Sequence, residues 1–139
     1  MRAVPFLAIL LLVGCDSKEK VYSRYVNEVY RANLAYAGSD ADAAYAAKQR
    51  FVEYVEKLQA DNAPIDIPFA DIYIWENARL GLLAEHLGKK DESKRYFSVA
   101  VDYAKKRYPN GGGFELSEAG LRSALDQMDT SENIAWRKK

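Results

Sequence analysis

The sequence predicts an all-α domain of antiparallel helical hairpins closed by a C-terminal capping helix. Three observations predict it. Apolar residues recur every three or four positions through most of the chain, the period of a helix with one buried face. Val, Ile and Thr never form the alternating run that a half-buried strand needs. The breaks at Gly38, Pro64, Gly88 and Pro109 to Gly113 are short, and short connections place successive helices antiparallel.

The first helix is expected from about Lys18 to Ala37, with Tyr22, Tyr25, Val26, Val29, Asn33 and Leu34 on one side. Gly38-Ser39-Asp40 stops it. Ser39 is placed to cap the second helix, with Asp42 three residues on as a weak capping box. That helix runs to about Ala60, and its stripe is Ala44, Ala47, Phe51, Val55 and Leu58. Asp61 to Ile67 is a linker. Pro68 suits the first turn of a third helix, where its missing N–H has no intrahelical acceptor to lose. The third stripe is Phe69, Ile72, Tyr73, Leu80, Leu83 and Leu87, and Gly88 ends it. Asp91 opens the fourth helix, which buries Tyr96, Phe97, Ala100, Val101, Ala104 and Tyr108. A fifth covers Leu116 to Met128, with Leu121, Leu125 and Met128 aligned. Ile134 and Trp136 add a final turn that packs back on the bundle, and Arg137-Lys138-Lys139 is expected to be loose.

The approximate internal period invites comparison with repeat signatures. Leu80-Gly81, Ala84, Gly88, Ser93, Phe97 and Ala100 stand at spacings that resemble the tetratricopeptide repeat, without gaps. The resemblance covers one repeat, Ile74 to Arg107, within a single helical domain at 21–139. It implies that Gly81 lets two helices touch and that Phe97 and Ala100 pack against their neighbours. Asn77 stands where the family usually has Trp, and Ser93 where alanine is usual. Arg24 to Lys57 reads as a degenerate earlier copy, with Arg31 and Arg50 at positions the family keeps small. The segment from Leu116 onward would then be the capping helix such arrays need.

The N-terminus is a different physical object. Arg2 is followed by an uncharged run, Ala3 to Val13, too short to span a bilayer and laid out like a secretory leader. Leu12-Val13-Gly14-Cys15 resembles the lipobox of bacterial lipoproteins. That resemblance implies a signal peptide over 1–14, cleaved before Cys15. It also implies diacylglycerol on the Cys15 thiol and, usually, an acyl chain such as palmitate on the new amino group. Two or three acyl chains anchor stably where one is marginal. Residues 15–20 form the lipidated cysteine and a short tether. Asp16 resembles the signal that enteric bacteria read as retention in the inner membrane. The expected location is therefore the bacterial cell membrane, periplasm-facing, inner membrane favoured over outer.

Composition narrows the chemistry. The 139 residues hold 20 Lys+Arg against 20 Asp+Glu, and no basic patch concentrates, which argues against nucleic acid. One cysteine allows no internal disulfide, and one histidine, His86, allows no histidine cluster for a metal. No cofactor is implied. Gly111-Gly112-Gly113 is followed by Phe114 and lacks the Lys-Ser/Thr of a phosphate loop. Glu76 and Glu85 lie nine positions apart on one helix, too far for an inferred carboxylate pair. Arg79 has a carboxylate contact or open solvent as its two readings.

Ten tyrosines suit both half-buried packing and an interface. Tyr30, Tyr36 and Tyr45 surround the first turn and partly miss the core stripe. The repeat resemblance implies a groove that receives peptides, its positions falling on Trp75, Ala78, Leu82, Glu85 and His86. Trp75, Leu82 and His86 lie off the main stripe of the third helix, so they face either a partner or the preceding helix. The expected function is a lipid-anchored envelope adaptor that binds a protein partner, as an assembly factor, a regulator or a toxin-immunity protein. The alternative is an envelope glycan-active enzyme or ligand-binding subunit with a carboxylate-lined cleft.

Overall fold

The computed structural model describes residues 16–130 and 133–138. Cys15 and the leader lie outside the described residues, as does Lys139. In chain order the elements are α1 (Lys18–Ala37), α2 (Ala41–Ala60), α3 (Phe69–His86), α4 (Lys90–Arg107) and α5 (Glu118–Met128), then a 3-10 turn at Ala135–Lys138. Neighbours in sequence pack on each other, α1 on α2, α2 on α3 and α3 on α4, while α5 lies against both α3 and α4. This is an all-α bundle with the adjacent packing of a helical-repeat arrangement. Among the described residues no helix is long and apolar enough to cross a membrane.

Local chemistry sets the ends. Ser17 caps α1 by accepting from Lys20 N at 3.4 Å, and Ser117 caps α5 by accepting from Gly120 N at 3.1 Å. The second helix is capped by Asp40, which accepts from Ala43 N at 3.0 Å, and not by Ser39 as expected. The helix starts at Ala41, so Asp40 holds the extended residue before it. Its carboxylate also sits well against the positive end of the helix dipole. α5 starts two residues later than expected because Ser117 takes the capping position.

α3 stops in a Schellman motif. Gly88, with φ +76°, donates its N–H to Glu85 O, and Lys89 donates to Ala84 O. α2 stops the same way, with Asn62 as the left-handed residue, donating to Gln59 O while Ala63 donates to Leu58 O. Sharp, hydrogen-bonded stops end both α2 and α3, and α3, which opens just after Pro68, is the helix on which the site is built.

The stripe expected on the second helix is buried along its whole length, from Ala44 to Leu58. The core between α3 and α4 joins Ile74, Ala78, Phe97, Ala100 and Ala104 to Leu121 and Leu125 of α5. Gly81 is why these helices approach so closely. A Cβ placed there would stand 2.6 Å from the ring of Phe97, which is itself fully buried. The linker after α2 is not idle, since Ile65 and Ile67 are buried against Leu58.

Three expectations are corrected. On α1 the buried residues are Ala32 and Tyr36, with Tyr25 and Val29 half-buried, while Tyr22, Val26, Asn33 and Leu34 face solvent. The contact with α2 is centred one row away from the densest apolar row. Met128 is exposed, because the last turn of α5 presents Leu125 and then Asp129 to the bundle and turns Met128 away. Arg137 is not loose, for its guanidinium donates to Asp129 O and to Asp126 Oδ1. The expected return of Ile134 and Trp136 to the bundle is observed, with both buried against Tyr36, Leu80 and Leu83.

Gly81→Ala should lower unfolding free energy by about 1–2 kcal/mol in urea denaturation, since overpacking outweighs the gain in helix propensity. An unchanged or raised midpoint would show that the Phe97 ring yields freely.

Candidate functional site

α2 carries a lysine inside its apolar stripe. Lys48 follows Ala44 by one helical turn and precedes Phe51 by three residues, and it has no exposed surface at all. A buried ammonium needs partners. Lys48 Nζ lies 2.7 Å from Glu76 Oε2 on α3 and donates to Asn33 Oδ1 on α1 at 2.8 Å.

Glu76 is held from its other side. Arg79, one turn along α3, donates through one terminal nitrogen to Glu76 Oε1 at 2.8 Å. The remaining edge of the guanidinium grips Asp129, just beyond α5, with bonds of 2.7 and 3.0 Å. Tyr36 of α1 donates its hydroxyl to Asp129 Oδ2 at 3.1 Å. Its ring lies beneath both cations, 5.0 Å from Lys48 Nζ and 5.7 Å from the Arg79 guanidinium carbon. Two cations and two anions therefore meet as one neutral quartet, joining α1, α2, α3 and the C-terminal segment.

The surroundings pull the groups in opposite directions. Burial lowers the Lys48 pKa below its ordinary value, and the Glu76 carboxylate opposes that shift. Burial works against the Arg79 charge too, but the bonds to Asp129 and the Glu76 and Asp129 charges prevail and raise its pKa. Burial raises the Tyr36 hydroxyl well above the usual phenol range, helped by the charge of Asp129.

Beside the quartet an open cleft of about 430 Å³ runs between α1 and α3. Tyr25, Val29 and Asn33 form one wall, Ile72, Trp75 and Arg79 the other. Asp71, Glu76 and Asp129 also line it. Glu76 and Asp129 are committed to the quartet, and Asp71 accepts from the Tyr108 hydroxyl and lies 3.6 Å from Arg107 Nε. Among the described residues no group of three or more His, Cys, Asp or Glu is placed to hold a metal.

The expected groove positions separate. Trp75 borders the cleft, half-buried, with its ring 5.2 Å from Phe114. Ala78 is fully buried and offers a partner nothing. Leu82 is half-buried and belongs to the cores on both sides of α3. Glu85 is exposed and pairs with Arg122 of α5 at 2.7 Å. His86 is exposed, with its ring edge-on to Trp136 at 5.1 Å. The chain's own C-terminal third has thus taken much of the face beyond Trp75. Glu76 and Glu85 do not converge, one being buried and the other in solvent.

Of the three tyrosines around the first turn, Tyr36 and Tyr45 are buried and Tyr30 is exposed. Asp16 is exposed and pairs with Arg24 at 2.5 Å. Sequence reasoning passed over Lys48 and Asp129. A lysine in register with Ala44, Phe51 and Val55 was the available signal, and Asp129 gave none, because its partner lies fifty positions away. Comparison of the chain with family models, with curated proteins and with solved structures gives no match.

Lys48→Met should destabilise the domain by about 3 kcal/mol, because Glu76 loses its fully buried cation and keeps only the half-buried Arg79. Adding Glu76→Gln should restore much of that loss, as measured by urea denaturation of both variants. A double variant no more stable than the single would argue against direct pairing. Because Tyr36 has a raised pKa in the folded state, its contribution is complete below about pH 10, the unfolded value, and is lost as pH rises toward the folded one. The stability difference between wild type and Tyr36→Phe should therefore shrink above about pH 10.

Proposed function

We propose that the chain is a lipid-anchored envelope adaptor that receives a segment of a protein partner in the cleft between α1 and α3. The cleft itself carries the reading. It is open, walled by Tyr25, Val29, Ile72 and Trp75, and backed by fixed polar groups at Asn33 and Arg79. Aromatic walls supply contact area at low entropic cost, and a few convergent polar groups supply orientation.

The lipobox-like Leu12-Val13-Gly14-Cys15 supports placement on the bacterial cell membrane, facing the periplasm, with Asp16 favouring the inner membrane. Adjacent helix packing and the Gly81–Phe97 contact support a tetratricopeptide-like architecture with α5 as its cap. The partner surface is then shifted from the positions the resemblance implied. It keeps Trp75 and moves toward α1, because α5 and the C-terminal turn attend to Glu85 and His86. Assembly factor, regulator and toxin-immunity protein all fit this surface.

The test is crosslinked capture from envelope membranes with the acylated full chain. Val29→Asp and Trp75→Ala should each reduce the partner recovered by wild type about tenfold or more, the loss expected when an interface anchor is removed. Leu82→Ala should leave recovery unchanged once equal folding is verified by circular dichroism. Equal recovery by Val29→Asp and wild type would sink the cleft as the binding surface.

A further inference from the structure

Four apolar side chains stand in solvent along α1. Tyr22 is 53% exposed, Val26 45%, Tyr30 66% and Leu34 62%. Spaced four residues apart, they form one ridge that winds slowly around the helix. One edge of the ridge runs beside Tyr25, Val29 and Asn33, the wall of the cleft. The other leads to Arg31, which is exposed, whereas Arg24 stands on the far side of the helix, toward Tyr54 and Leu58 of α2. Core packing does not account for the ridge, because α1 meets α2 through Ala32 and Tyr36 on another side.

The start of the helix decides what lies nearest. Ser17 is held as the cap of α1, and Asp16 is folded back onto Arg24. The two residues between Cys15 and α1 therefore carry no slack. With Cys15 acylated, α1 starts within about 10 Å of the acylated residue's backbone, at roughly 3.5 Å per residue.

We propose that α1 lies along the bilayer surface, with Tyr22, Val26, Tyr30 and Leu34 seated among the headgroups and upper acyl chains. The proposal rests on the lipid-anchor reading above. Tyrosine suits this depth, since its ring is apolar and its hydroxyl reaches water or phosphate. An in-plane helix with an apolar ridge and a basic flank binds more firmly to anionic lipid. Arg31 pairs with Glu28, but this is an exposed pair of small worth, so its guanidinium can turn to phosphate. A second copy of the chain fits the ridge less well. The ridge is about 18 Å long, and four side chains fall short of the roughly 800 Å² per partner that a stable protein interface buries.

This placement can be read with a fluorophore. Cys15 is the one native cysteine, and acylation consumes its thiol, so Tyr30→Cys and, on α4, Asp102→Cys can each be labelled singly with an environment-sensitive dye. The acylated full chain is reconstituted in phosphatidylglycerol-containing vesicles, and palmitate incorporation is followed with a radiolabel. The label at position 30 should shift to the blue and be quenched by nitroxide lipids about threefold or more over the label at 102, as expected for a face buried in the interface. Water-like emission at both positions, on protein that floats with the vesicles, would overturn the proposal and leave the anchor standing. A blue shift without lipid quenching would overturn it in favour of a protein covering the ridge. Absence of palmitate would remove the anchor and the proposal together, and the radiolabel reports this independently of the dye.

Discussion

The buried quartet of Lys48, Glu76, Arg79 and Asp129 is the constraint on which the site depends. Ordinary apolar stripes pack α2, α3, α4 and α5, and such packing tolerates sliding and repacking. Charges inside a core do not. Each needs its partner within hydrogen-bond reach, and losing one leaves another buried and uncompensated, at a cost of about 3–5 kcal/mol. The quartet therefore sets the spacing of α2 and α3, the seat of the Tyr36 ring, and the point where the chain returns after α5. The cleft between α1 and α3 takes its floor from the same groups.

That arrangement changes what kind of surface the helices present. Two cations and two anions cancel, so the floor of the cleft is polar in detail and neutral at a distance. A segment held in the proposed cleft would meet shape and the rings of Tyr25 and Trp75 more than net charge. The C-terminal segment adds to this. By engaging Glu85 through Arg122, His86 through Trp136 and Arg79 through Asp129, it leaves the cleft beside α1 as the open part of this side of α3. The indole Nε1 of Trp136 is buried with no hydrogen-bond partner among the described residues, so its side chain is held by packing while its backbone N–H bonds Gly38 O.

Much of the fold was legible from local rules. Helical periodicity and the Gly and Pro breaks placed the five described helices, with α1 bounded as expected, Asp40 and Pro68 standing just before α2 and α3, and the starts of α4 and α5 displaced by one and two residues. The Gly81–Phe97 contact followed from the repeat resemblance. Periodicity failed on α1, where apolar residues outnumber those one contact can bury, so the densest row was mistaken for the buried one. The site was less legible. A buried lysine is visible in sequence only as an intruder in an apolar stripe, and its carboxylate partner on another helix has no fixed offset. Asp129 could be found only by folding the chain, because nothing at that position announces Arg79 or Tyr36.

The wide separation of those last partners has a temporal side. Tyr36 and Asp129 are 93 positions apart, and the Trp136 N–H closes on Gly38 O across a similar span. The contacts of α1 with α2, α2 with α3 and α3 with α4 need only the chain already made. The Arg79–Asp129 bond that completes the quartet needs a residue fifty positions further along the chain. A chain delivered N-terminus first would form its hairpins early and hold Arg79 half-satisfied until its tail arrived, since long loops close late. The Asp129 edge of the cleft would thus form after its walls on α1 and α3, and a copy truncated after α4 would keep those walls while losing the carboxylate that holds Arg79.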